Sequence, residues 1–225
     1  MKELLKKYKH GWILSYFFLY IVWFFALEKA VTTKYTPIHL RIDDYIPFNE
    51  WFVIPYCLWF AYIFISVAYF FLTSKDDFYK CTAFLFIGMT ICLLIYTVWP
   101  NGQNLRPDLT RLGRDNPLIR IVAHFYATDT PTNVCPSIHV FNSIGVHIAI
   151  HRSEALKKHK WLQVSSFVLM LLICLSTMFL KQHSAFDVIA AAGLSLIMYI
   201  AVYGLSGTKL TDKVKGKKVY AEQQS

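Results

Sequence analysis

The sequence predicts an all-α fold: a polytopic membrane protein with six transmembrane helices. Three observations lead there. Of the 225 residues, 56% are hydrophobic and 17% aromatic, with only 16% charged, whereas a soluble domain of this length exposes far more charge. The apolar residues gather into several runs of about 20, the length that crosses the hydrocarbon core of a bilayer. Lys and Arg fall mainly in the gaps between those runs, and unequally on the two sides, as membrane topology requires.

The runs put spans at about 11–31, 51–72, 81–99, 134–150, 162–180 and 186–206. The first is too long for a signal peptide, ends at Glu28-Lys29 and lacks a small-residue cleavage site, so it reads as a retained anchor. Residues 1–10 read as a basic cytoplasmic N-terminus, 11–206 as one membrane domain, and 207–225 as a polar, basic, disordered cytoplasmic tail. With the N-terminus inside, the inner segments hold fifteen Lys and Arg and the outer segments eight. That bias puts both termini in the cytoplasm of a cell whose plasma membrane the chain spans. The net charge of +9 follows from this arrangement and is no signal for nucleic acid. Cys57, Cys81, Cys92, Cys135 and Cys174 lack metal-ligand spacing and read as buried thiols.

The outer segments carry the informative exceptions. Arg106, Arg111, Arg114 and Arg120 oppose the topological bias within one long loop, Pro100–Asn133. A guanidinium fits phosphate oxygens as a bidentate fork, and the bland alternative is pairing with Asp108, Asp115 or lipid headgroups. Long loops tend to be lids or binding elements. Residues 32–50, with Asp43 and Asp44, suggest only a solvated turn.

Two constellations carry chemistry. His183 and Asp187 are four apart at the start of the last span. On a helix beginning by Gln182 they would share a face, the carboxylate fixing one imidazole nitrogen and leaving the other free to attack. Pro136-Ser137-Ile138-His139 opens the fourth span. Pro and Ser suit a first helical turn, whose free N–H groups form an anion site, and His139 beside it would pass protons. Taken singly, the first is equally well an ordinary helix entry, and the second reads as ordinary capping with a packed histidine. His147 and His151 read as structural, since a metal needs ligands converging at one depth.

Taken together, these motifs resemble the type 2 phosphatidic acid phosphatase family. Its pattern is Lys, six residues, Arg-Pro; then Pro-Ser-Gly-His; then Ser-Arg, five residues, His, three residues, Asp. Here Arg106-Pro107 closes the first motif, Pro136-Ser137-Ile138-His139 matches the second except for glycine, and Ser176-Thr177 with His183 and Asp187 matches the third except for arginine. The resemblance implies a metal-independent phosphoryl-transfer site without a cofactor, on the extracytoplasmic side. In it, His183 is the nucleophile that forms a phosphohistidine, Asp187 orients it and His139 moves the proton. Arg106, Ser137 and Pro136 would hold the phosphate, with Ser176 and Thr177 beside it. Trp99 and Thr177 occupy the family's Lys and Arg positions. The missing charge then comes from Arg111, Arg114 or Lys181, or the bound group is less charged, as in the branch resembling inositol phosphorylceramide synthase. The expected partners are a membrane lipid with a phosphate headgroup and a water or alcohol acceptor. The reading is first a lipid phosphate or isoprenyl pyrophosphate phosphatase, second a headgroup phosphotransferase or phosphodiesterase, and third a non-catalytic transporter or assembly protein.

Overall fold

The computed structural model describes residues 8–31 and 33–204; the tail read over 207–225 and most of the segment read over 1–10 lie outside them. Within the bilayer a backbone has no water to bond, so its N–H and C=O groups must pair within the segment, and apolar runs become helices. A 3-10 turn (Lys9–Ser15) leads into α1 (Tyr16–Ala30). A short α2 (Arg41–Tyr45) precedes α3 (Val53–Thr73) and α4 (Lys75–Val98). The loop of 100–133 carries α5 (Pro117–Thr128), followed by α6 (Ile138–Arg152), α7 (Lys160–Phe179) and α8 (Ala185–Tyr199), which ends in a π-turn (Ile200–Gly204). Two residues on each side, β1 (Thr36–Pro37) and β2 (Asn101–Gly102), pair in parallel and tie the loop after α1 to the loop after α4.

Five helical stretches are long and apolar enough to cross a bilayer: Lys9–Ala30, Glu50–Thr73, Lys75–Val98, Lys160–Phe179 and Ala185–Gly204. The chain is a helical membrane protein. The region expected as the fourth span differs. Only Ile138–Arg152 is helical there, a rise of about 22 Å against roughly 30 Å of hydrocarbon. Ser137 starts the helix late, and His139, Asn142, Ser143 and His147 break its apolar run.

α6 sits at the centre, packed on α7, α8, α4 and α3, and nine of its fifteen residues are buried. Two glycines let it approach α4. A Cβ on Gly88 would lie 1.9 Å from the Phe141 ring, and one on Gly145 2.6 Å from Phe84. The two rings stack at 5.1 Å across the gap, so each aromatic fills the space over the opposite glycine. A core packed this closely resists added volume.

The third span begins at Lys75 rather than near 81. Ser74 alone links it to α3, and its Oγ accepts from the Asp77 N–H at 3.2 Å. The loop of 100–133 is more ordered than a connector. Asn116 caps α5, Pro117 occupies its first turn, and Ile119 and Val122 are buried on its inner face. The segment 32–50 is also not the solvated turn expected. Asp43 is buried and accepts from Ser184 Oγ (2.6 Å), the Ala185 N–H (2.8 Å) and the Leu40 N–H (2.8 Å), bracing the entry of α8.

Candidate active site

The last motif is held from below and behind. The His183 N–H donates to Thr177 O at 3.0 Å, fixing the turn that leaves α7. α8 starts at Ala185, later than the helix expected from Gln182, with Ser184 as its cap. The His–Asp pairing therefore arises from a capping box rather than from two stacked helical positions. Asp187 Oδ2 accepts from the Ser184 N–H at 2.9 Å and lies 3.3 Å from His183 Nδ1. Both residues are buried. Among the described residues Nε2 of His183 has no hydrogen-bond partner, and His183 lines a cavity of about 1050 Å3.

The middle motif reaches the same cavity through one side chain. Asn101 positions the strand before it: its Oδ1 accepts from the Val134 and Cys135 N–H groups at 2.9 and 2.8 Å. Tyr96 donates its hydroxyl to Pro136 O. Pro136 and Ser137 are buried and do not line the cavity, and Ser137 Oγ is engaged as the cap of α6, accepting from the Val140 N–H at 3.4 Å. His139 does line it. Its ring stacks on Tyr56 at 4.8 Å, tilts against Trp59 at 4.4 Å, and lies 5.8 Å from the His183 ring, centroid to centroid.

Arg106 completes the group. Its Nη1 donates to the carbonyls of Tyr126 (3.2 Å) and Asp129 (2.8 Å), and its Nη2 to Thr130 O (3.3 Å) and to Gln182 Oε1, on the residue preceding His183. The guanidinium also covers the Tyr126 ring at 4.6 Å. Nε is buried without a partner. Burial lowers the Arg106 pKa from its ordinary value, against the countering charges of Tyr126, Tyr56, Asp129 and Glu28; a guanidinium remains charged regardless.

The other sequence candidates lie elsewhere. The hydroxyls of Ser176 and Thr177 donate to Ile173 O (2.6 Å) and Cys174 O (2.8 Å) inside α7. Lys181 Nζ donates to Asp43 O at 2.7 Å, and burial lowers its pKa. Arg111 pairs with Asp108 at the surface, and Arg114 forks onto Glu50 at 2.9 and 2.8 Å. None of these lines the cavity. At the far end of α6, His147 faces Ser166 Oγ at 3.0 Å and His151 faces Gln163 Oε1 at 3.2 Å.

Sequence reasoning missed several residues that line the cavity. Glu28 accepts from the Thr130 N–H (3.0 Å), Thr130 Oγ1 (2.6 Å) and Asn133 Nδ2 (3.2 Å), fastening α1 to the loop of 100–133. Asp129 lines it with no side-chain partner among the described residues. Burial, then the Glu28 charge, raises the Asp129 pKa. The signal available was an acid ending an apolar run and a polar string, Thr128–Asn133, just before Pro136. Away from these groups the cavity is apolar and continues between α1 and α3, from Tyr56 to Phe71. No family model, curated protein or solved structure matches the chain.

Proposed function

We propose that the protein is a phosphoryl-transfer enzyme akin to the type 2 phosphatidic acid phosphatases, acting on a lipid phosphate through a phosphohistidine on His183. The observation that carries this reading is a single cavity receiving the free Nε2 side of His183, the His139 ring 5.8 Å away and the Arg106 guanidinium. The apolar cleft beyond them follows sixteen residues of α3, Tyr56–Phe71, about 24 Å, and suits a hydrocarbon tail.

In the proposed cycle, Nε2 attacks phosphorus while Asp187 accepts the Nδ1 proton in a hydrogen bond and fixes the tautomer. The bond from phosphorus to the lipid oxygen breaks, and His139 supplies that oxygen's proton. His139 then takes a proton from water, whose oxygen attacks phosphorus as the P–N bond breaks. Arg106 and its ordered surroundings stabilise the charge on the equatorial oxygens. In this reading α6 is a short fourth span that completes the six, both termini are cytoplasmic, and the site opens extracytoplasmically at the plasma membrane.

A second reading, transfer of a phospho-headgroup to an alcohol, is favoured by the charge of the site. Arg106 is the sole Lys or Arg lining the cavity among the described residues. Trp99, at the family's Lys position, donates its indole to Thr36, and Thr177 is bonded within α7.

The test is turnover in detergent. Purified protein given phosphatidate, an isoprenyl pyrophosphate and a phosphatidyl diester should release phosphate or transfer a headgroup, and His183→Ala should abolish either. Absence of turnover and of labelled histidine would support a non-catalytic transporter or assembly role instead.

A further inference from the structure

The cavity is charged at one end only. Among the described residues its charged side chains are Glu28, Arg106 and Asp129, gathered with His139 and His183. Beyond them it becomes a slot between α1 and α3, backed by α4, with walls such as Phe24, Ile63, Val67 and Met89. Helix α1 is tied at both ends. At the charged end Glu28 accepts from Thr130 and Asn133, and the Thr132 hydroxyl donates to Val31 O at 2.7 Å. Along its length α1 leans on α4, with the Tyr16 hydroxyl 2.6 Å from Thr90 Oγ1 and the Trp23 indole donating to Thr97 Oγ1 at 3.2 Å, while the cavity lies between it and α3. The far end is closed. His10 Nε2 donates at 3.0 Å to Phe71 O, one of the last carbonyls of α3, which lack a helical partner. The His10 ring lies 4.7 Å from that of Phe71 and 5.2 Å from that of Phe78, and those two rings are 5.4 Å apart. Phe78 is fully buried, and a Cβ on Gly11 would come within 2.9 Å of the Phe71 ring. Phe71, the last residue of α3 to line the slot, therefore has no room to retreat.

The depth of that stop is unusual. The membrane-crossing stretch is Glu50–Thr73, whose midpoint falls near Tyr62, and Phe71 stands two residues from its end. The slot thus runs on past the midpoint by about 14 Å. A disordered lipid chain reaches about half of the roughly 30 Å hydrocarbon core, so a chain that touches Phe71 is drawn out straight and crosses the midplane. An extended chain advances about 1.2 Å per bond, a third of the peptide repeat, so a slot of about 24 Å takes about 20 carbons. Moving from lipid into an apolar slot brings a chain little hydrophobic gain; what it gains is packing against fixed walls. A short chain leaves a void without contacts, and an overlong one must press Phe71 into Phe78 and Gly11. We propose that the slot is a length gauge: it holds one extended hydrocarbon chain of the phosphate-bearing lipid, about 20 carbons long, and Phe71, backed by His10, is its stop. This rests on the phosphoryl-transfer reading and adds a chain-length specificity to it.

The experiment uses full-length protein in detergent and a series of straight-chain alkyl phosphates: decyl, hexadecyl, eicosyl and hexacosyl. Each is given as the monoester and as its glycerol diester, with glycerol present as acceptor. Release of the alkanol, common to hydrolysis and headgroup transfer, is followed together with label on His183. In wild type kcat/KM should rise to the eicosyl chain and fall about fivefold or more at hexacosyl, the effect of overfilling a packed space. Ala68 lines the slot one turn before Phe71. Ala68→Trp raises the floor by about 5 Å, or roughly four carbons, and should move the optimum to hexadecyl. Phe71→Ala should relieve the fall at hexacosyl. Detergent partitioning is the same for all three proteins, so a moved optimum reports the slot. A wild-type efficiency that stays level from hexadecyl to hexacosyl would overturn the gauge and leave phosphoryl transfer standing; a second lipid filling the far half of the slot would give that result, and it needs no variant to fold. An optimum unmoved in both variants, with wild-type melting, would overturn the assignment of Phe71 as the stop. No alkanol release from any chain, with no label on His183, would overturn phosphoryl transfer and this inference with it.

Discussion

Asp187→Asn probes the proposed chemistry most directly. Oδ2 of Asp187 lies 3.3 Å from His183 Nδ1 and caps α8 through the Ser184 N–H at 2.9 Å. Asparagine keeps the shape and a capping oxygen, so the fold should survive with a cost of about 1 kcal/mol, the worth of a weakened cap. The catalytic cost is larger. As Nε2 bonds to phosphorus, the ring becomes cationic, and in wild type a carboxylate stands against it. Two unit charges about 4 Å apart at an effective dielectric near 20 are worth about 4 kcal/mol, or roughly three decades in rate. If the amide nitrogen turns toward Nδ1 instead, it forces the tautomer whose Nε2 has no lone pair to attack, and the penalty reaches about four decades, the size seen when a triad aspartate is similarly replaced. The assay is single-turnover formation of labelled phosphohistidine from a lipid phosphate, with a detergent-phase melting curve as control. A variant that labels within about threefold of wild type would refute the role given to Asp187. So would a collapse in melting that parallels the loss of rate, since the effect would then be structural.

Three further outcomes are expected. His139→Gln should accumulate phosphoenzyme from substrates with good leaving groups, because attack proceeds while the second proton transfer fails; equal accumulation in wild type would remove His139 from that step. Arg106→Ala should raise KM for a lipid phosphate by about tenfold or more, as loss of a charge-assisted contact does. Arg120→Ala should change it less than twofold, since Arg120 pairs with Asp115 at 2.9 Å on the open surface, and equal effects would end the distinction between the two arginines. Asp43→Ala removes three hydrogen bonds at the entry of α8 and should cost about 3 kcal/mol of stability in a denaturant titration; an unchanged midpoint would show that the brace carries no weight.

The parts legible in the sequence were those decided locally. Run length and the absence of charge in stretches such as Val53–Thr73 dictate a helix whatever lies beside it. The spacing of His183 and Asp187 announced a contact, although the structure makes it through a capping box. The parts that were not legible depend on distant partners. Asp43 looks like a solvated acid until Ser184 and Ala185, some 140 residues away, are brought to it. The four arginines of the loop of 100–133 are alike in sequence. They differ only because Glu50, Asp108 and Asp115 stand ready for Arg114, Arg111 and Arg120, whereas Arg106 is drawn inward by backbone carbonyls. The start of α6 was not legible because Val134 and Cys135 are as apolar as a helix requires, yet their N–H groups are taken by Asn101 Oδ1.

This manner of holding the groups bears on how such a site would work. None of His183, Asp187 or Arg106 depends on a ligand for its position. The first hangs from Thr177 O, the second caps Ser184, and the third is held by three carbonyls and Gln182. The entropy of ordering them is therefore lost during folding, and binding a lipid need not supply it. The same contacts engage both Nη groups of the guanidinium, and its Nε is buried, so its contribution is mainly a fixed charge. A fixed charge stabilises whichever species carries more negative charge at that spot, and along the proposed path that is the pentacoordinate transition state rather than the bound lipid. Loss of the charge should therefore depress kcat as well as raise KM, whereas loss of a simple headgroup clamp would raise KM alone.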